Sequence, residues 1–106
     1  MEASPINPSD IAFMKGVYGT KKPIPSIPGF EGSGTVVKSG GGMMGWYVEG
    51  KRVAVSSGQG YSGCYAEYCV AKAATCMPIP DEVSFDTASS SFVNPLTVIA
   101  MLDITQ

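Results

Sequence analysis

Apolar residues in this 106-residue chain come in short packets, because thirteen glycines and eight prolines interrupt them. Such punctuation favours strands and loops over long helices. Gly34 to Lys38 and Arg52 to Ser56 are rich in β-branched residues and read as strands. The run SGGGMMGW at 39–46 reads as the turn or loop joining them. Asn7-Pro8-Ser9-Asp10 predicts a helix start, since Asn can cap, Pro suits the first turn and Asp complements the positive helix end. Ile11 to Met14 continue that helix until Gly16. A second start at Asn94-Pro95 opens LTVIAMLDI, whose apolar density predicts a buried helix rather than an amphipathic surface one. Cys64 to Val70 fits a strand through Tyr65 and Tyr68, or a helix through Ala66, Glu67 and Ala71. Pro78 to Asp86 reads as an extended linker leading into a short helix capped by Ser84.

With 44% hydrophobic residues, a chain of this length builds one small domain. Seven basic against nine acidic side chains, with no basic block, exclude nucleic acid as the expected partner. The longest apolar run, Leu96 to Leu102, contains a Thr, is bounded by Asp103 and is too short to span a membrane. The opening MEASPINPSD has neither a basic start nor an apolar core, so no targeting segment is visible. The three cysteines lack CxxC spacing and the chain has no His, which predicts reduced thiols and no metal site. In a strand, Cys64 and Cys69 would point to opposite faces, so they read as small buried hydrophobes rather than a redox pair.

Gly58 to Gly63, GQGYSG, satisfies G-x-G-x-x-G and follows the strand-like RVAVSS, with Asp81 and Glu82 near the offset of a ribose-binding acid. A dinucleotide site also needs a helix and a second parallel strand beyond the glycines. The two prolines of Thr75 to Pro80 argue against a central strand there, so the glycines read as a connection between antiparallel strands.

The run PGFEGSGTVV at 28–37 resembles the signature of the medium-chain dehydrogenase/reductase superfamily, whose zinc alcohol dehydrogenases carry a His directly before the Glu. Phe30 stands in that slot, and a phenylalanine has no lone pair for zinc. The resemblance therefore points to the zinc-free branch, the quinone oxidoreductases and 2-enoyl thioester reductases. Further stretches follow in the family's order. INPSDIAFMKGVYG at 6–19 resembles the helix and turn of the catalytic domain, and EGKRVAV at 49–55 its GDRV strand, with Lys51 replacing the Asp. GCYAEYCVAKAATCMPIPDEVSFDTAS at 63–89 is similar to its AEY strand and the passage beyond, which makes GQGYSG the loop before that strand. VNPLTVIAML at 93–102 is similar to the helix leading toward the cofactor domain. The resemblance implies a mainly β fold with short helices, a partial GroES-like β-barrel. Residues 1–92 would form a partial catalytic domain and 93–106 the start of the connecting helix. The family's opening strands and its Rossmann domain are expected outside this chain.

By the same resemblance Tyr18, in GVYG, is implied as proton donor: hydride addition to an enoyl thioester leaves an enolate that must gain a proton, and a phenol can supply one. Asn94, Thr97 and Asn7 match positions implied to approach the nicotinamide or its ribose, with helix capping as the alternative for both asparagines and a buried hydroxyl bonded to the backbone for Thr97. Glu31 has no catalytic role assigned, since nothing nearby in sequence pairs with it, and Met43, Met44 and Trp46 could form an apolar lip for a substrate. The implied cofactor is NADPH in the intact protein, with none expected for this chain alone, and the implied substrate is an enoyl thioester or alternatively a quinone. The compartment expected is the cytoplasm or mitochondrial matrix. Uncovered barrel surface and the apolar last helix predict self-association or a partner chain. A rival of another class is a degenerate, non-enzymatic interaction module.

Overall fold

The computed structural model describes residues 1–57 and 62–106. Helix α1, Pro8–Met14, starts where the sequence predicts. Asn7 is its extended N-cap residue, and the Asp10 carboxylate turns back to accept the Asn7 N–H at 2.9 Å. Gly16, at φ 73°, takes the chain out of the helix.

Strand β1 is Glu31–Thr35, three residues earlier than the β-branched run predicts. It pairs antiparallel with β2, Arg52–Ser56, placing Glu31 opposite Ser56 and Thr35 opposite Arg52. Propensity could not find EGSG as strand, because its glycines are there for close approach rather than for packing. A Cβ on Gly32 would lie 2.9 Å from the Ala3 carbonyl oxygen, and one on Gly34 3.0 Å from the Met1 Cα. The first residues occupy that space, with Ser33 N–H donating to the Ala3 carbonyl at 2.8 Å and Glu2 N–H to the Ser33 carbonyl at 2.9 Å.

The predicted loop at 39–46 is largely a helix, α2, Gly42–Val48. Gly41 and Gly42, at φ 100° and 79°, turn the chain into it, and Gly45 and Val48, three apart, form its buried side. Glycine's poor helix propensity hides this element from a sequence reading. Beyond the undescribed residues 58–61, where most of GQGYSG lies, Cys64 to Val70 forms no strand, against the implied AEY strand. Its leading backbone donors turn back to another loop: Gly63 N–H to Ile27, Cys64 N–H to Gly29 and Tyr65 N–H to Pro28, at 2.9–3.1 Å.

A 3-10 turn at Ala73–Thr75 leads into β3, Cys76–Pro78, which pairs antiparallel with β2. The sheet order is β1-β2-β3, so Pro78 sits in an edge strand, where a missing N–H is tolerated. Every strand pairing among the described residues is antiparallel. Helix α3, Phe85–Ser89, has the predicted Ser84 cap, whose hydroxyl accepts the Thr87 N–H at 3.1 Å. Arg52 holds the preceding turn: its guanidinium donates to the carbonyls of Pro80, Asp81 and Val83 and lies 4.4 Å from the Phe85 ring.

Helix α4, Val93–Thr105, begins before the predicted Asn94-Pro95 start, and the expectation of a buried helix fails, since none of its residues is buried. The core lies instead about β2, in Val53, Ala54 and Val55 with Val48, Cys64 and Ala88. No helix among the described residues is long and apolar enough to cross a membrane.

Candidate functional site

The PGFEG turn into β1 is the hub of the candidate site. Phe30, in the slot where a zinc ligand would stand, has its N–H held by the Asp10 carboxylate at 3.0 Å. Its ring receives Phe13 edge-on, with centroids 5.5 Å apart, and the tilted ring of Tyr18 at 5.2 Å. Where a metal branch would place a Lewis acid, this chain has an aromatic platform. Among the described residues, no three His, Cys, Asp or Glu side chains converge on a metal position.

Tyr18 lies just beyond the turn that ends α1, 38% exposed, and its hydroxyl forms no hydrogen bond with another described residue. The phenol is thus anchored by its ring and open at its oxygen. Beside this platform Phe13, Met14, Lys21, Lys22, Ile24 and Pro28 border a depression of about 500 Å³. No acidic residue occurs between Asp10 and Glu31, and Lys21 and Lys22 bring positive charge to the border of the depression.

Glu31, next to Phe30, is only 1% exposed. Its Oε1 accepts the Asn7 side-chain N–H at 2.8 Å. Its Oε2 accepts the backbone N–H groups of Phe92 and Val93 at 3.0 and 2.9 Å. Those donors are among the groups a helix N-terminus leaves without internal partners, and Phe92 as N-cap residue has no side-chain oxygen to offer. A carboxylate is the natural complement to that helix end, and three hydrogen bonds offset its burial. Sequence reading missed this role because the partners lie 24 to 62 residues away.

Of the four residues singled out from sequence, Tyr18 contacts Phe30 and Asn7 contacts Glu31, whereas Asn94 and Thr97 lie on the helix whose first N–H groups Glu31 holds. Asn7 is buried, caps α1 and has its amide committed to Glu31. Asn94 is exposed in the first turn of α4, directly after the Glu31-bound N–H of Val93, and does not cap the helix. Thr97 is exposed one turn on, its hydroxyl donating to the Val93 carbonyl. Met43, Met44 and Trp46 lie exposed on α2. Lys51, in place of the usual Asp, sets its ammonium 3.3 Å over the Tyr47 ring.

Behind the hub, Tyr65 donates its hydroxyl to the Pro5 carbonyl at 2.8 Å. Burial first, and then the neighbouring Asp10 charge, push its phenol up to about 12.

The alcohol dehydrogenase GroES-like domain matches residues 1–81. Among curated relatives, a mitochondrial enoyl-[acyl-carrier-protein] reductase of Arabidopsis thaliana is 37% identical over 103 residues, covering 97% of this chain and 27% of that protein. Its Bos taurus counterpart is 33% identical over 102 residues, covering 96% of this chain and 26% of that protein. Among solved structures, a Mesorhizobium loti protein assigned as an NADPH:quinone reductase superposes with a TM-score of 0.92 at 46% identity, over 97% of this chain and 30% of that one. A second, from Bacillus thuringiensis, gives 0.81 at 36% identity, over 99% and 30%. The chain thus spans less than a third of the length of each of these relatives. With Phe30 in the metal-ligand slot, it belongs to the alcohol dehydrogenase GroES-like domain family, in the zinc-free branch of the medium-chain dehydrogenase/reductase superfamily.

Proposed function

We propose that this chain is the catalytic-domain part of an NADPH-dependent reductase acting on the conjugated double bond of an enoyl thioester, inactive by itself. The carrying observation is Tyr18, a phenol seated on Phe30 with its oxygen open, in place of a metal centre. The reduced carbon skeleton must gain a proton, and Tyr18 is the group this site offers to give it. The depression accepts the acyl portion against Phe13, Met14, Ile24 and Pro28, and Lys21 at its border offers charge to a phosphate-bearing thioester carrier. A quinone has no such anionic group to place there.

The residues at the start of α4 fit a polar cofactor edge. Asn94 presents an exposed side-chain amide, and the Thr97 hydroxyl, donating to Val93, keeps acceptor capacity. The Phe92 and Val93 N–H groups are already held by Glu31, so they do not form a phosphate cradle. Asn94 and Thr97 would hold the nicotinamide end, with Asn7 acting through Glu31 to fix the start of α4. When bound, NADPH supplies the hydride. Work in the cytoplasm or mitochondrial matrix accords with mitochondrial relatives.

A second reading, quinone reduction, is favoured by the 46% identity to the Mesorhizobium loti protein. Substituting Lys21→Ala in the full-length protein separates the two. A raised KM for a carrier-linked enoyl thioester, with quinone kinetics unchanged, supports the thioester; turnover of quinones alone overturns it.

A further inference from the structure

Helix α1 meets Phe30 through its backbone and through its ring. Asp10 and Phe13 lie on one face of the helix, one turn apart. The Asp10 carboxylate takes the Phe30 N–H at 3.0 Å, and the Phe13 ring meets the Phe30 ring edge-on. Tyr18, the other ring against Phe30, hangs from the end of the same helix. Gly16 N–H donates to the Phe13 carbonyl at 2.9 Å and Val17 N–H to the Ala12 carbonyl at 3.0 Å, so the turn that carries Tyr18 moves with α1.

Asp10 is fully buried and spends both oxygens on backbone. Oδ2 accepts the Asn7 N–H at its own helix start, and Oδ1 accepts the Phe30 N–H from the other side of the site. The turn is fixed independently behind Phe30. The Gly29 carbonyl accepts the Ser57 hydroxyl and the Cys64 N–H, both at 2.9 Å, and the Phe30 carbonyl accepts the Ser57 N–H at 3.0 Å. Asp10 ties α1 to this fixed turn.

We propose that Asp10 is a positioning residue for the proton donor: by holding the Phe30 N–H it sets α1 on the turn, and with it the seat of the Tyr18 phenol on the Phe30 ring. This rests on the reading of Tyr18 as that donor. Asp10 acts through Phe30. A carboxylate suits the task because two N–H groups arrive on separate oxygens, whereas an amide offers one oxygen and turns its NH2 toward the other donor. Since the Tyr18 hydroxyl has no partner among the described residues, its oxygen follows the ring seat, and a small slip of α1 displaces it from a reacting carbon.

The test uses the full-length protein with ring-labelled tyrosine, the Tyr18 signals being assigned through Tyr18→Phe. Phe30→Leu defines their positions without the Phe30 ring current. In Asp10→Asn they should move most of the way to those positions, and kcat should fall roughly ten- to hundred-fold with KM changed less than about two-fold. In a Tyr18→Phe background, Asp10→Asn should add little further loss, whereas a merely structural role would add its own. Ser84→Ala, which removes the cap of another helix, should lower stability with kcat and the Tyr18 signals unchanged. Asp10→Ser, with a single oxygen for the same N–H groups, is the second variant, and amide exchange at Phe30 in the wild type should be slow. Unmoved Tyr18 signals in either folded Asp10 variant would overturn the proposal, as would a Phe30 amide that exchanges like an exposed one. Because the signals are read without turnover, the two claims separate: a wild-type rate in Tyr18→Phe removes the donor and leaves the seat, and unmoved signals remove the seat and leave the donor.

Discussion

Glu31 and Val93 are hydrogen-bonded at 2.9 Å across 62 residues of chain, and the same carboxylate oxygen takes the N–H of Phe92. Removing the carboxylate in Glu31→Ala strands these two N–H groups and the Asn7 amide, which should cost about 3 kcal/mol. Urea unfolding measures the loss. Amide exchange should quicken at Phe92 and Val93 in particular. Wild-type stability in this variant would mean that water replaces the carboxylate without penalty.

In the full-length protein, Tyr18→Phe should lower kcat by about a hundred-fold or more with an enoyl thioester while leaving KM near its wild-type value. The ring contact with Phe30 survives this change, so loss of packing cannot account for the effect. An unchanged rate would assign Tyr18 to packing alone.

Tyr65 links stability to alkaline pH. Its folded value is pushed up to about 12 from the ordinary phenol range near 10, so the unfolded chain gives up this proton first. The unfolded state then binds fewer protons, and stability falls as pH rises from about 10 through about 12. Phenolate absorbance should show a late-titrating component that is absent in Tyr65→Phe. An absorbance titration left unchanged by Tyr65→Phe above pH about 11 would contradict it.

Isolated chain is expected to show no calorimetric binding of NADPH. The described strand pairings are all antiparallel, whereas a dinucleotide fold presents the pyrophosphate at a parallel strand-helix crossing. Saturable micromolar binding would restore GQGYSG as a phosphate loop.

Helix α4 presents Leu96, Val98, Ile99, Met101 and Leu102 at 52–61% exposure. Covering such side chains is worth roughly 1.5 to 3 kcal/mol each, enough to drive association. Sedimentation should show concentration-dependent self-association of the isolated chain, reduced in Leu96→Asp/Ile99→Asp. A monomer at all concentrations would refute it.

What could be read from sequence was local. The Asn7-Pro8 start of α1, the Ser84 cap and β2 depend on neighbours in the chain, and the structure agrees with them. The Phe30 slot and Tyr18 came from motif order and meet as ring partners. Helix α2 was hidden by glycine's low propensity, and β1 by glycines selected to admit residues 1–3. Glu31's partners were not legible, because they come from segments distant in the chain.

The Arg52 guanidinium reaches carbonyls up to 31 residues onward and clamps the turn before α3. It is the first residue of β2, so this clamp is in place only once the β1–β2 pair has aimed the side chain across the sheet. Ser33 adds a second tether from β1, donating its hydroxyl to the Phe85 carbonyl over 52 residues. Loop entropy favours closing the nearer β1–β2 pair first, and the α3 segment is then expected to dock onto donors that this pair has set. A defect at Arg52 should thus appear in kinetics as faster undocking of α3, with hairpin formation left at its own pace.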